Sequence, residues 1–200
     1  MALALTFSKP NLLESQLVGT DGVVYYTTRT TRGFRGRKVT TIPAASGTVG
    51  TIDWRQRRFI IDGGQCEWSA APEKCSWGDN SYALKYQNSA KGLVVTRNSQ
   101  AVPKLADSTE TLLNAPSVKY TAQPTNQGAK DPATITFPHE LRDEVERMFV
   151  LMAILRIETM REDQAAKLNR TMSRNATALH MLGGYVDGGG NTIQGPFGSV

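Results

Sequence analysis

The chemistry-bearing residues of this chain are mostly basic and clustered. Arg29, Arg32, Arg35, Arg37 and Lys38 fall within one short stretch, and Arg55, Arg57 and Arg58 follow. A guanidinium is planar, permanently charged and able to pair two N–H donors with two oxygens of a phosphate, so these residue types at this density suit an anion on a lipid headgroup, a nucleotide or a nucleic acid. Between positions 29 and 58 there are eight basic residues and one acid, Asp53, whereas the remainder holds fifteen basic and seventeen acidic residues. The overall charge of +5 is therefore local in origin. Gly33 and Gly36 separate the arginines, which predicts a mobile hairpin loop carrying Phe34, a side chain able to enter acyl chains or stack on a base. The plain alternative is a solvated face with ordinary solubility charges.

Other chemistry is weakly represented. No phosphate-cradling glycine loop, dinucleotide fingerprint, paired-histidine zinc motif or nucleophile elbow occurs. His139 sits beside Glu140 where a helix should begin, a setting that suits a capping neighbour better than a base, and His180 lies near the C-terminus. Cys66 and Cys75 lack metal-ligand spacing and read as reduced thiols. Asp53, Asp62, Glu67 and Asp79 fall at strand ends or turns, where carboxylates commonly accept backbone amides. Trp54, Trp68 and Trp77 read as packing residues, with Trp68 the one open to exposure. No catalytic residue, metal or cofactor follows from these patterns.

The elements that must position the basic cluster are strands. Gln16–Val18 and Val23–Thr28 flank Asp21-Gly22, a hairpin signal. Val39–Ile42 stops at Pro43, then Thr51–Trp54 and Arg58–Ile61 follow, and Tyr82–Tyr86 and Gly92–Arg97 repeat the pattern of strand, turn and strand. Val118–Tyr120 and Thr134–Phe137 are further short strands, separated by an exposed loop over Thr121–Asp131. The fold expected is mainly β with one helix: an antiparallel barrel or sandwich enclosing a hydrophobic C-terminal helix.

The helix is predicted at about 139–163, because Leu141, Val145, Met148, Met152 and Leu155 recur at three- and four-residue steps. Its middle, Met148–Leu155, is apolar all round, so something must surround it. Eight residues at roughly 1.5 Å each make a rod about 12 Å long, which matches the axis of a small barrel and falls far short of the roughly 20 residues that span a bilayer. Residues 164–182 permit a looser amphipathic segment stopped by Gly183-Gly184, and a glycine-rich flexible tail is expected beyond. The domain expected is 1–163, followed by this appendage. The N-terminus has no basic region before its apolar run, so secretion is not expected and the sequons at Asn169 and Asn175 carry no weight.

Leu5–Ser8, Asp21–Tyr25, Gly50-Thr51-Ile52-Asp53-Trp54, Tyr82–Lys85, Gly92–Val95 and the final helix Glu140–Arg161 together resemble an uncharacterised fungal, basidiomycete-type protein family. That family is similar in turn to the tubby C-terminal-like group, which includes the plant LURP-one-related proteins and the phospholipid scramblases. The resemblance spans roughly residues 3–163. It implies a twelve-stranded barrel or near-barrel threaded by its hydrophobic C-terminal helix, and a phospholipid-binding or membrane-associated role with no reaction attached. The chain departs from the pattern by continuing past the helix, and it lacks the cysteine-rich and acidic calcium-binding runs of the scramblases.

These readings converge on a non-catalytic intracellular binding domain, cytoplasmic and peripheral at a membrane, that takes anionic lipid headgroups or another phosphate-bearing ligand through the eight basic residues. Two alternatives stand beside it: a structural or protein-interaction module that recruits a partner through 164–182, and a small enzyme with an unrecognised site at a barrel mouth. Nucleic acid is the less favoured partner, and the oligomeric state is left open.

Overall fold

The computed structural model describes residues 2–34, 36–68, 74–87, 92–98, 117–122 and 132–183. Arg35, the loop residues 123–131 and the tail beyond 183 lie outside the described residues. The chain forms two compact units, Met1–Ile157 and Glu158–Val200.

The first unit is built almost wholly from antiparallel strands. β1 (Leu3–Phe7), a 3-10 turn (Leu12–Glu14), β2 (Gln16–Gly19) and β3 (Val24–Thr27) come first, with the expected hairpin at Asp21-Gly22, where the Asp21 carboxylate accepts the Val23 N–H at 3.0 Å. β4 (Arg29–Gly33), β5 (Gly36–Pro43), β6 (Val49–Asp53), β7 (Arg58–Ile61) and β8 (Gly64–Glu67) follow as a meander, ordered in space as in sequence. β9 (Lys74–Trp77), β10 (Asn80–Gln87), β11 (Gly92–Asn98), β12 (Ser117–Thr121) and β13 (Thr134–Phe137) complete a second sheet in the order β3-β2-β1-β13-β12-β11-β10-β9. The N-terminal strand thus pairs with the last one, Leu5 opposite Ile135.

Among the described residues, the strands form an eight-stranded and a five-stranded sheet and not one continuous ring. Tyr26 bridges to Ala44 where the sheets meet on one side, and on the other Gly64 of β8 lies against the Trp77 ring of β9. β8 does not stand out in the sequence, since Gly64-Gln65-Cys66-Glu67 has too little β-branched or aromatic content.

The helix α1 (Glu144–Gly183) starts later and runs longer than the sequence predicts. Residues 139–143 are turn and irregular backbone, because Asp143 takes the N-cap position, its carboxylate accepting the Val145 N–H at 3.3 Å. No break occurs near 164, because strong helix formers such as Gln164-Ala165-Ala166-Lys167-Leu168 continue the chain and the first glycine comes at 183. Within the first unit, Met148–Leu155 is buried on every side. Phe149 meets Phe59 of the five-stranded sheet and both Trp77 and Tyr82 of the eight-stranded sheet, so this stretch lies between the two sheets and forms their shared core. The mainly β fold around an apolar C-terminal helix is as the sequence predicts. No helix among the described residues is long and apolar enough to cross a membrane.

Candidate anion-binding site

The stretch expected to be a mobile loop is mostly strand. Thr30, Thr31, Val39, Thr40 and Thr41 are β-branched residues that suit a ladder, and pairing continues as far as Gly33 opposite Gly36. Val39 pairs with Asp53, and Asp53 with Arg58. The tip of the β4–β5 hairpin and the β6–β7 turn therefore lie at the same end of the five-stranded sheet.

A bulge aims one arginine. Thr31 pairs with Val39 and Arg32 with Arg37, leaving Lys38 as an extra residue. Side chains alternate along a strand, and Thr40 and Ile42 of β5 are fully buried, so regular pairing would send Arg37 to the opposite face. The extra residue reverses that alternation. The Arg37 guanidinium accordingly lies over the Trp54 ring, 5.9 Å from its centroid.

Trp54 is itself pinned by a polar chain. Its indole N–H donates to Thr40 Oγ1 at 2.8 Å, Thr40 and Thr30 share a hydroxyl hydrogen bond of 2.7 Å, and Thr30 donates to the Leu13 carbonyl at 3.0 Å. Since the Thr30 proton is engaged with Leu13, the Thr40 hydroxyl donates to Thr30 and accepts from Trp54. Every polar group in the relay is satisfied.

The β6–β7 turn is organised by Asp53, whose Oδ1 accepts the N–H groups of Arg55 and Gln56 at 3.0 and 2.9 Å. Arg55 reaches back over the neighbouring hairpin: a Cβ on Gly33 would stand only 3.2 Å from Arg55 Nη2. Phe34, Arg37, Trp54 and Arg55 line an open depression of about 580 Å³. The Phe34 ring is fully exposed at its rim.

The remaining basic residues divide. Arg32 and Lys38 are exposed on the same hairpin. Arg29 pairs with Thr41 at the other end of β4, about 13 Å along the strand from Gly33, and does not join the depression. Arg57 is exposed in the turn with φ 55°, and Arg58 is engaged with Gln65 at 2.9 Å and Asp53 at 4.0 Å. Below them, Trp68 packs on Trp54 and Phe59 and carries Arg156 of the helix over its ring at 5.0 Å. Burial, then the positive charge of Arg57, pull the Arg156 pKa down, partly offset by Cys75. Arg156 was not singled out from sequence, where it reads as one of several charges ending the greasy stretch.

A second polar cluster lies elsewhere in the first unit. Tyr82 donates to Glu146 at 2.5 Å, Arg97 stands 3.4 Å from the same carboxylate, and Arg97 also donates to Asn80. Burial first, then the bond to Glu146, raise the Tyr82 pKa. The adjoining cavity, about 40 Å³, has room for little more than a water molecule. Asp53 and Asp62 both accept backbone amides, as expected of carboxylates at strand ends: Asp62 takes the Val49 N–H at 2.9 Å at the other end of β6 from Asp53. Among the described residues no three His, Cys, Asp or Glu side chains converge on a metal position.

No protein-family model matches this chain, and no curated protein matches it. One solved structure that it is similar to is an Arabidopsis thaliana protein determined by X-ray crystallography, at 13% identity over 79% of this chain and 91% of that chain, with a TM-score of 0.34. A likeness at that level carries no argument about function, which rests here on the site itself.

Proposed function

We propose that this chain is a non-catalytic binding domain for a phosphate-bearing ligand, held at the end of the five-stranded sheet. The observation that carries this reading is the depression in which Arg37 and Arg55 converge with Trp54 and the exposed Phe34, with Arg32 and Lys38 on the hairpin beside it. Two guanidinium groups offer paired donors to phosphate oxygens, and the rings offer an apolar wall to whatever the phosphate is attached to. A lipid headgroup and a soluble phosphorylated molecule present the same chemistry. The proposal includes membership of the fungal tubby C-terminal-like family and peripheral, cytoplasmic placement, supported by the strand-rich body around an apolar helix and by the local positive charge.

Trp54 reports directly on the site. Its fluorescence is expected to change on titration with inositol phosphate if a soluble phosphate suffices, and only with vesicles containing anionic lipid if the bilayer is required. No response to either, or an equal response to neutral vesicles, overturns the proposal.

A further inference from the structure

In the second unit, the described side chains from Glu162 to Met172 are all exposed, including Leu168 at 62% and Met172 at 69%. The helix backbone continues to Gly183. Along it Ala165, Leu168, Met172, Asn175, Leu179 and Leu182 recur at alternating steps of three and four residues, the spacing of a coiled-coil seam. The positions flanking that seam, Gln164, Asn169, Thr171, Ala176 and Ala178, are all uncharged, while Lys167, Arg170 and Arg174 occupy the remaining turns.

We propose that residues 164–182 are a self-association element, and that its occupant is a second copy of this chain laid parallel and in register. Charge selects that occupant. Two identical helices repel wherever like charges meet, and here the seam and both flanks are neutral, with the cationic positions away from the contact. An acidic partner would be drawn to Lys167, Arg170 and Arg174, away from the seam. The sequence pattern adds to this: one Asn at a seam position, Asn175, favours pairing with the same Asn of an in-register copy, since an amide carries both a donor and an acceptor. Under three heptads of seam makes a weak dimer, formed by mass action, and an isolated helix of this length is marginal in water, so association and helicity are coupled. This inference is independent of the phosphate site.

Sedimentation equilibrium of the full chain across a wide concentration range tests it. The apparent mass is expected to rise from 21.8 kDa towards twice that value. Leu168→Glu and Met172→Glu, both at exposed positions, should weaken association at least tenfold with far-ultraviolet circular dichroism of the dilute protein unchanged, and Asn175→Leu should tighten it. A mass that stays monomeric at every concentration overturns the proposal, as does a dimer that Leu168→Glu leaves intact. Tightening by Asn175→Asp at neutral pH would overturn the in-register arrangement, which brings those two carboxylates together.

Discussion

Phe149 of the helix stands edge-on to Phe59 of the five-stranded sheet, with ring centroids 5.7 Å apart and planes at 87°. The same ring meets Trp77 and Tyr82 of the eight-stranded sheet at 5.5 and 5.3 Å. One side chain thus ties both sheets to the helix, and truncating it removes contacts on every side. Phe149→Ala is expected to cost about 3–5 kcal/mol in urea unfolding. A loss under about 1 kcal/mol would mean that the sheets close without this ring.

Gly50 tests how closely the helix approaches β6. A Cβ there would lie 2.6 Å from Met148 Sδ and 3.2 Å from Met152 Sδ, both on fully buried side chains. Gly50→Ala is expected to destabilise by about 1–3 kcal/mol through overpacking. Met148→Ala in the same background should recover part of that loss, a coupling that a double-mutant cycle reads directly. Strictly additive losses would show that the two positions do not touch.

The alkaline limb of the stability curve has a defined sign. Burial pushes the Cys66 and Cys75 thiols up from 9.0 to about 11 and 12, and burial with the Glu146 hydrogen bond raises Tyr82 from 10.0. These groups are held neutral in the fold, so their contribution is complete below about pH 9 and is lost as pH rises through 9 to 12. Thermal unfolding should show the melting temperature falling across that window, and Cys66→Ser with Cys75→Ser should flatten its lower part. A flat profile to pH 12 would contradict the burial of these groups.

Thr40 links the core to the candidate site. Thr40→Val keeps the shape but removes the acceptor of the Trp54 indole and the donor to Thr30, at an expected cost of about 1–3 kcal/mol. Because Trp54 would then lose its anchor beneath Arg37, ligand-induced fluorescence change should weaken as well. Loss of stability with ligand response intact would confine the relay to a structural role.

Much of this arrangement was legible in the residues. The steps of three and four through Met148–Leu155 mark a buried helix, and Asp21-Gly22 between β-rich runs marks its hairpin, because each signal is local. The extent of the β4–β5 ladder was not legible, since Gly33 and Gly36 suggest a loop while the ladder is decided by the threonines and valine across from one another. The convergence of Arg37 on Trp54 depends on a bulge at Lys38, which shifts the alternation by one residue and leaves no mark in composition. Arg29 reads as part of the cluster by proximity in sequence, but an extended strand carries it to the far end. The Glu146–Tyr82–Arg97 cluster was hidden because its members are separated by many residues and meet only in the folded core.

The central claim is that the hairpin tip and the β6–β7 turn form one anion-binding surface. Each basic side chain near an anionic bilayer contributes about 1 kcal/mol, so reversing several exposed ones at once should be decisive. The measurement is co-sedimentation of the full chain with anionic and with neutral vesicles at low and high salt, using the wild type and the variant Arg32→Glu, Lys38→Glu, Arg55→Glu. Salt-sensitive binding to anionic vesicles by the wild type, abolished in the variant with its unfolding midpoint unchanged, is the result expected. Equal binding by both proteins would contradict the site, and binding to neither kind of vesicle would contradict the lipid form of the ligand.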